Sequence, residues 1–443
     1  MNRGASADSR VACHGSAKAR KADRDQPSTE VNVMDYCQHP GFAFAERPSR
    51  IDVQDINEFD KAYKQFREGT NRRRAREVLY QKMAEIFSSL LEQAQTQQET
   101  YFLSELQGES QRILREELAF YESVKAGQVA HLPPEFQSLA DQLKSNRCLF
   151  GKLPTAELRE ICRLSREEVL RLRGNAENGK MTREDLTTNA GEVVASIRKV
   201  LSPIFESLGV SAAISEYMGK RYRVGGLSLE YSHHSSTWWR HTLSELSAPK
   251  TMYAHLDESI GIPKAIVYLS DVSDVHGPTS CYPGAYESLE LNALKEIIGR
   301  IVGTVGNSPD SNLKHYYSKP YHQHMGSVLF RRHFMRLPAE LRFNSHFGWD
   351  VVPGSKLEAD LVKLEHTMLG AAGTFIAFDG ARLLHRGGLM EEGERIVLQV
   401  FFSPPPGPVG LKTNLILLSR RVASKTQRIL NLAGMRRKGM GRA

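Results

Sequence analysis

From about residue 55 to residue 126 apolar side chains recur at intervals of three and four. Val78, Leu79, Met83, Ile86, Phe87, Leu90, Leu91 and Ala94 form one such stripe, and Ile113, Leu114, Leu118, Tyr121 and Val124 form the next. This spacing predicts amphipathic helices with one buried face. Shorter helices are expected over 132–185, and Ser165-Arg166-Glu167-Glu168 reads as a capping box that opens one of them. A further helix is expected near 189–218, on the stripe Val193, Val194, Ile197, Val200, Leu201, Ile204, Phe205 and Leu208. The texture then changes to short apolar runs separated by Gly, Pro, Asp and Ser: Leu227–Tyr231, Ala265–Leu269, Gly326–Phe330, Thr374–Phe378 and Arg395–Phe402. Runs of that length with turn punctuation read as strands. The order predicts an α+β fold, a helical N-terminal half packed on a C-terminal antiparallel barrel or jelly roll.

The expected organisation is an N-terminal arm over 1–50, a helical region over 51–188, a β-rich domain over 189–410 with an insertion at about 287–372, and a basic tail over 411–443. Composition adds little to this: 40% apolar and 25% charged residues are ordinary for a soluble globular chain. No apolar run approaches the roughly 20 residues that span a bilayer. Met1–Ser6 lacks the apolar core of a secretory signal, so the expected compartment is the cytoplasm. Five scattered cysteines form no CxxC pair, which argues against a zinc knuckle or a disulfide framework.

The net charge of +8 suggests nucleic acid until it is located. Residues 419–443 hold eight basic residues and no acidic one, leaving 51 of each sign in residues 1–418. The body therefore carries no excess charge to attract a polyanion. Two short helices meeting near Ser165 would resemble a helix-turn-helix, but the turn lacks a Gly and the neutral body has no phosphate-binding face. For the tail, contact with anionic lipid at a membrane surface or with RNA stands beside the plainer expectation of a solvated terminus.

Among the 15 histidines, only His255-Leu256-Asp257 satisfies the pattern His-x-Asp/Glu. Chance supplies roughly one or two such tripeptides in a chain like this, so its meaning depends on the residues downstream of it. Asp271, Gly277-Pro278 and Pro283-Gly284 come next in order, then the run Thr374–Phe378, then His385, and ten residues later Arg395. This ordered set resembles the phytanoyl-CoA dioxygenase-like family of iron(II)/2-oxoglutarate oxygenases, over roughly residues 190–405. The resemblance implies a double-stranded β-helix (a jelly roll of cupin type) with Fe(II) held by His255, Asp257 and His385. It implies 2-oxoglutarate and O2 as co-substrates, with Arg395 gripping the far carboxylate of 2-oxoglutarate. The implied reaction hydroxylates an aliphatic C–H of a small-molecule, carrier-linked or glycan-type substrate and releases succinate and CO2. Desaturation, epimerisation or cyclisation on the same scaffold are alternatives, as is a non-catalytic jelly-roll binding protein.

The chemistry of the side chains agrees with the resemblance. Two imidazoles and one carboxylate on one face of an iron leave adjacent positions open for a chelating keto acid and for dioxygen. His255 and Asp257 stand two apart on an extended chain and so point the same way. A guanidinium matches a carboxylate with two parallel hydrogen bonds. A carboxylate at position 257, where halogenases of the superfamily have a small residue, favours hydroxylation over halogenation.

Two stretches are candidate substrate contacts. The first contains Tyr231, His233, Trp238 and Trp239, whose aromatic groups could floor a pocket or pack between layers. The second is the insertion, which opens on an expected helix with Leu289, Leu291, Leu294, Ile297, Ile298 and Ile301. It continues into a basic aromatic stretch that includes Lys319 and Arg331, a candidate lid.

Overall fold

The fold is taken from a computed structural model of the whole chain. The structure describes residues 49–124, 132–180, 183–233, 254–301, 333–344, 356–388, 390 and 392–405, all of which lie in the unit Met34–Ala443. The expected strand over 326–330, Trp238, Trp239, Lys319, Arg331 and the basic tail lie outside the described residues.

Three long helices come first: α1 Val53–Glu68, α2 Arg72–Glu92 and α3 Gln97–Ser123. Local chemistry accounts for several of their ends. The Asp52 side chain accepts from Gln54 N ahead of α1, and Gly69, at φ 81°, ends it in the left-handed region. Thr96 accepts from Glu99 N while Glu99 accepts from Gln95 N, so α3 begins on a reciprocal cap. The apolar stripes of these helices meet in one core that includes Phe59, Phe66, Leu79, Phe87, Leu106 and Leu114.

Next come α4 Gln137–Asn146, strand β1 Cys148–Lys152, α5 Thr155–Glu177, the single turn α6 Arg183–Leu186, β2 Thr187–Thr188, α7 Glu192–Ser207 and α8 Val210–Met218. Two expectations are corrected here. α5 runs unbroken through Ser165, whose hydroxyl donates back to Cys162 O, so it caps nothing and the helix-turn-helix disappears with it. The single helix expected over 189–218 is two, because Gly209 turns the chain at φ 73°. A β-carbon there would also strike the Phe136 ring.

The strands that come after are β3 Arg223–His233, β4 Lys264–Tyr268, β5 Ser280–Cys281, β6 His366–Thr367, β7 Thr374–Phe378, β8 His385–Arg386 and β9 Glu394–Ser403. Helices α9 Ala285–Ser288, α10 Ala293–Gly299 and α11 Lys356–Leu364 lie between β5 and β6. The helix expected to carry Leu289 and Leu291 starts later: Glu290 has a positive φ, and Asn292 caps α10 through Lys295 N. That helix then adds Leu294, Ile297 and Ile298 to the core of α1–α3.

Among the described residues the result is a mixed helical and antiparallel-sheet fold with two sheets. The larger has the order β1-β7-β4-β9-β3-β2 and the smaller β6-β5-β8, and each of these pairings is antiparallel. Side chains alternate between the faces of a strand, so the central strands of the large sheet divide their residues between two cores. Ala265, Val267, Phe375, Ala377, Leu398, Val400 and Phe402 pack against α4, α5, α7 and α8. Ile266, Tyr268, Ile376, Phe378 and Val397 face the other way and meet Cys281 of the small sheet. Helices, large sheet and small sheet therefore form three successive layers.

Candidate metal centre

His255 and His385 are bound together by the backbone. His255 N donates to His385 O at 2.8 Å, and His385 N donates to His255 O at 3.1 Å, an isolated antiparallel bridge beside β8. The two imidazole rings lie 4.4 Å apart between centroids. Two residues along, Asp257 N donates to Gly380 O at 2.7 Å, which ties the carboxylate to the turn after β7. One potential ligand atom from each of His255, Asp257 and His385 lies within 4.8 Å of the others. The structure thus brings together all three residues that the sequence singled out as ligands.

Neighbouring groups set the state of each side chain. His385 Nδ1 is 2.8 Å from Leu383 O, an acceptor only, so Nδ1 carries the hydrogen and Nε2 keeps its lone pair. Burial, followed by the nearby His255, pushes its pKa down to about 3, which leaves the ring neutral. Its Nε2 is 3.8 Å from Asp257 Oδ2, too long for a hydrogen bond. Burial opposes ionisation of Asp257, but Lys264, then His385 and His255, outweigh it and hold the carboxyl well below its ordinary range. Lys264 Nζ is 2.7 Å from Oδ2 and forms an ion pair with it. An anionic carboxylate oxygen beside a neutral imidazole lone pair fits a first-row divalent metal.

Gly380 leaves room for that carboxylate, since a β-carbon there would collide with Asp257 Oδ2. Gly388 does the same for the Gly277-Pro278 turn, whose backbone would meet a β-carbon at 388. Both glycines let one chain segment lie directly on another at the site.

Arg395 pairs with Ser232 near the start of β9 and shares a face with Val397, which lies in the core between the sheets. Its guanidinium therefore points to the same side of the large sheet as the small sheet that carries His385. Its Nη1 donates to Gly277 O, while its buried Nε has no hydrogen-bond partner. Burial lowers its pKa. Tyr231 and His233 are placed differently. They pair with Ile396 and Glu394, on the helix-facing side, and Tyr231 joins the core there. The register brings neither to the three candidate ligands.

Sequence reasoning passed over Lys264, Gly380 and the Leu383 carbonyl. Lys264 was readable in part, because it is in phase with Ile266 and Tyr268 and so lies on the inward face of its strand. The roles of Gly380 and Leu383 depend on a turn packed against residues far away in sequence.

No family model matches the chain. No curated protein matches it either. Solved structures do. The non-haem α-ketoglutarate-dependent carbocyclase SnoK of nogalamycin biosynthesis is 14% identical with a TM-score of 0.32, over 63% of this chain and 87% of its own. EctD from S. alaskensis, in its apo form, is 12% identical with a TM-score of 0.32, over 63% of this chain and 81% of its own. HygX from Streptomyces hygroscopicus, with nickel and 2-oxoglutarate bound, is 14% identical with a TM-score of 0.28, over 62% of this chain and 88% of its own. The function is therefore read from the residues of the site.

Proposed function

We propose that this chain is an iron(II)- and 2-oxoglutarate-dependent oxygenase of the phytanoyl-CoA dioxygenase-like kind, with His255, Asp257 and His385 as metal ligands. One observation carries the reading. Two histidines and a carboxylate, drawn from segments far apart in sequence, converge with their ligand atoms within 4.8 Å of one another. The two facing antiparallel sheets are read as the jelly roll, with the ligands at its small-sheet side.

Iron(II) held there would supply the activation of dioxygen, coupled to decarboxylation of 2-oxoglutarate to succinate and hydroxylation of a C–H bond. The protein's part is to hold and orient. Leu383 O fixes the His385 tautomer, and the 255–385 bridge fixes the spacing of the two rings. Arg395 is the cation for the far carboxylate of 2-oxoglutarate. Its buried Nε–H has no hydrogen-bond acceptor among the described residues, and a carboxylate would supply one. The substrate is proposed to be a small molecule, a carrier-linked chain or a glycan, with Trp238, Trp239, Lys319 and Arg331 among its contacts.

Anaerobic addition of iron(II) and 2-oxoglutarate should give a metal-to-ligand absorption band that is lost in His255→Ala and Asp257→Ala. Admission of air should release succinate. A wild-type protein that shows neither band nor succinate would overturn the proposal. A band with no succinate, even with candidate substrates, would favour a binding protein.

A further inference from the structure

Among the described residues, Lys264 is a charged group in contact with the candidate metal site that the proposed chemistry does not use. It opens β4 and faces inward, in phase with Ile266 and Tyr268, with its side chain only 17% exposed. Its Nζ lies 2.7 Å from Asp257 Oδ2, the same oxygen that lies 3.8 Å from His385 Nε2. The ammonium therefore claims the oxygen that faces the neighbouring ligand. It also has a second place to rest, since the Phe401 ring, on the residue paired with Lys264 across β4 and β9, has its centroid 5.9 Å away.

We propose that Lys264 is a built-in counter-cation of the metal-free site. It neutralises Asp257 while the site is empty and must give up Oδ2 when a metal ion binds. This rests on the reading of His255, Asp257 and His385 as metal ligands. The physical reason is competition. A carboxylate buried among two imidazoles needs a positive partner, and among the described residues Lys264 is the lysine at ion-pair distance. A divalent ion needs the same oxygen. Two cations on one carboxylate repel each other in a poorly solvated site, so part of the metal's affinity is spent on displacing the lysine. Lys264 thus limits how tightly the site takes up divalent ions. It is a positioning residue: it acts on the ligand Asp257, without touching substrate.

The test uses the full-length protein and cobalt(II) alone, titrated without oxygen or 2-oxoglutarate and followed by its visible d–d absorption. Lys264→Met removes the charge and keeps the length, Lys264→Gln keeps a polar group, and Lys264→Arg keeps the charge. The Met and Gln variants should bind cobalt at least about tenfold more tightly than wild type, and the Arg variant close to wild type. Melting temperature gives a second readout. The neutral variants should melt below wild type after chelation, and cobalt should raise their melting temperature by more than it raises that of wild type. If one neutral variant does not fold without metal, refolding in its presence still reports the shift. Unchanged or weaker cobalt binding in the neutral variants overturns the proposal, and weaker binding would mean that the lysine holds Asp257 in place for the metal. If wild type binds no cobalt, the metal reading itself fails, and that result is distinct from the others.

Discussion

The chain buries charge at the candidate metal centre and again where α3, α10 and the turn after β7 meet, and the two places are built on opposite plans. The second is centred on Glu117, Arg300 and Arg382, whose side chains are 5% exposed or less. In this cluster acids and bases pair repeatedly, although Arg300 Nε and Nη1 and Arg382 Nε are buried without a hydrogen bond. Glu117 takes Arg300 on one oxygen and Tyr63 and Arg382 on the other. Arg382 continues to Tyr121 and to Asp379, and Asp379 also accepts from Tyr217 at 2.9 Å. In the metal centre no hydrogen bond joins His385 to Asp257, and the carboxylate meets one ammonium, that of Lys264. Ion pairs that cross-link several elements make a structural joint. Ligand atoms that converge on one point fit a binding site.

The largest effect expected from this contrast is on stability. Glu117→Gln takes from buried Arg300 the carboxylate it bonds, leaves Arg382 with Asp379 as its carboxylate partner, and should cost about 3–5 kcal/mol in urea unfolding. His385→Gln, in metal-free protein, should cost less while abolishing metal binding. Equal losses of stability would erase the distinction between joint and site. Next comes Gly380→Ala, whose β-carbon would displace the Asp257 carboxylate. It should weaken cobalt binding about 10- to 100-fold, as when the support of a ligand is lost. Unaltered affinity would mean that Asp257 is not a ligand in its present place.

How far these features were legible from sequence differs between the two regions. His255, Asp257, His385 and Arg395 could be picked out because motif spacing is a statement about order along the chain. Alternation along β9 puts Arg395 on the face opposite Ile396, Leu398, Val400 and Phe402, which pack toward the helices. The joint left a fainter mark. Glu117 sits four residues after Ile113 and four before Tyr121, a charge within an apolar stripe, but nothing local shows that Arg300 and Arg382 come to meet it. The break at Gly209 was missed because an uninterrupted apolar period outweighed one glycine, whose fit depends on Phe136 from another part of the chain. Ser165 misled because a capping sequence in mid-helix looks the same as one at a start.

Smaller effects sharpen the comparison. Arg395→Ala should raise the 2-oxoglutarate requirement roughly tenfold or more, the worth of a charged hydrogen-bond pair, and leave cobalt affinity unchanged. A parallel loss of metal affinity would place Arg395 in the metal's own support. The least is expected from pH. Burial alone would raise the Glu117 carboxyl, but Arg300 and then Arg382 hold its pKa below 4.5. A depressed pKa in the folded chain means stabilisation that is complete above the unfolded value and lost as pH falls through the folded one. Burial raises the pKa of Glu296, so protonating it on acidification favours the folded chain and offsets part of that loss. As pH falls from neutral to about 4.5, wild type should therefore gain stability relative to Glu296→Gln, and below that the two should decline together, measured as urea midpoints. An identical profile would show that Glu296 does not titrate against Glu117.

The backbone bridge between His255 and His385 has a consequence for how such a chain can diversify. Two hydrogen bonds hold the two rings side by side, whatever lies between them in sequence. The strands and helices of the intervening chain belong to the two sheets and the core, so it is the segments joining those elements that can be lengthened, shortened or exchanged with little disturbance to the spacing of the histidines. Closing a longer loop costs only about 0.6 kcal/mol for each doubling of its length. Choice of substrate can then drift in the intervening segments while the centre stays put, an arrangement that separates inheritance of the reaction from invention of the target.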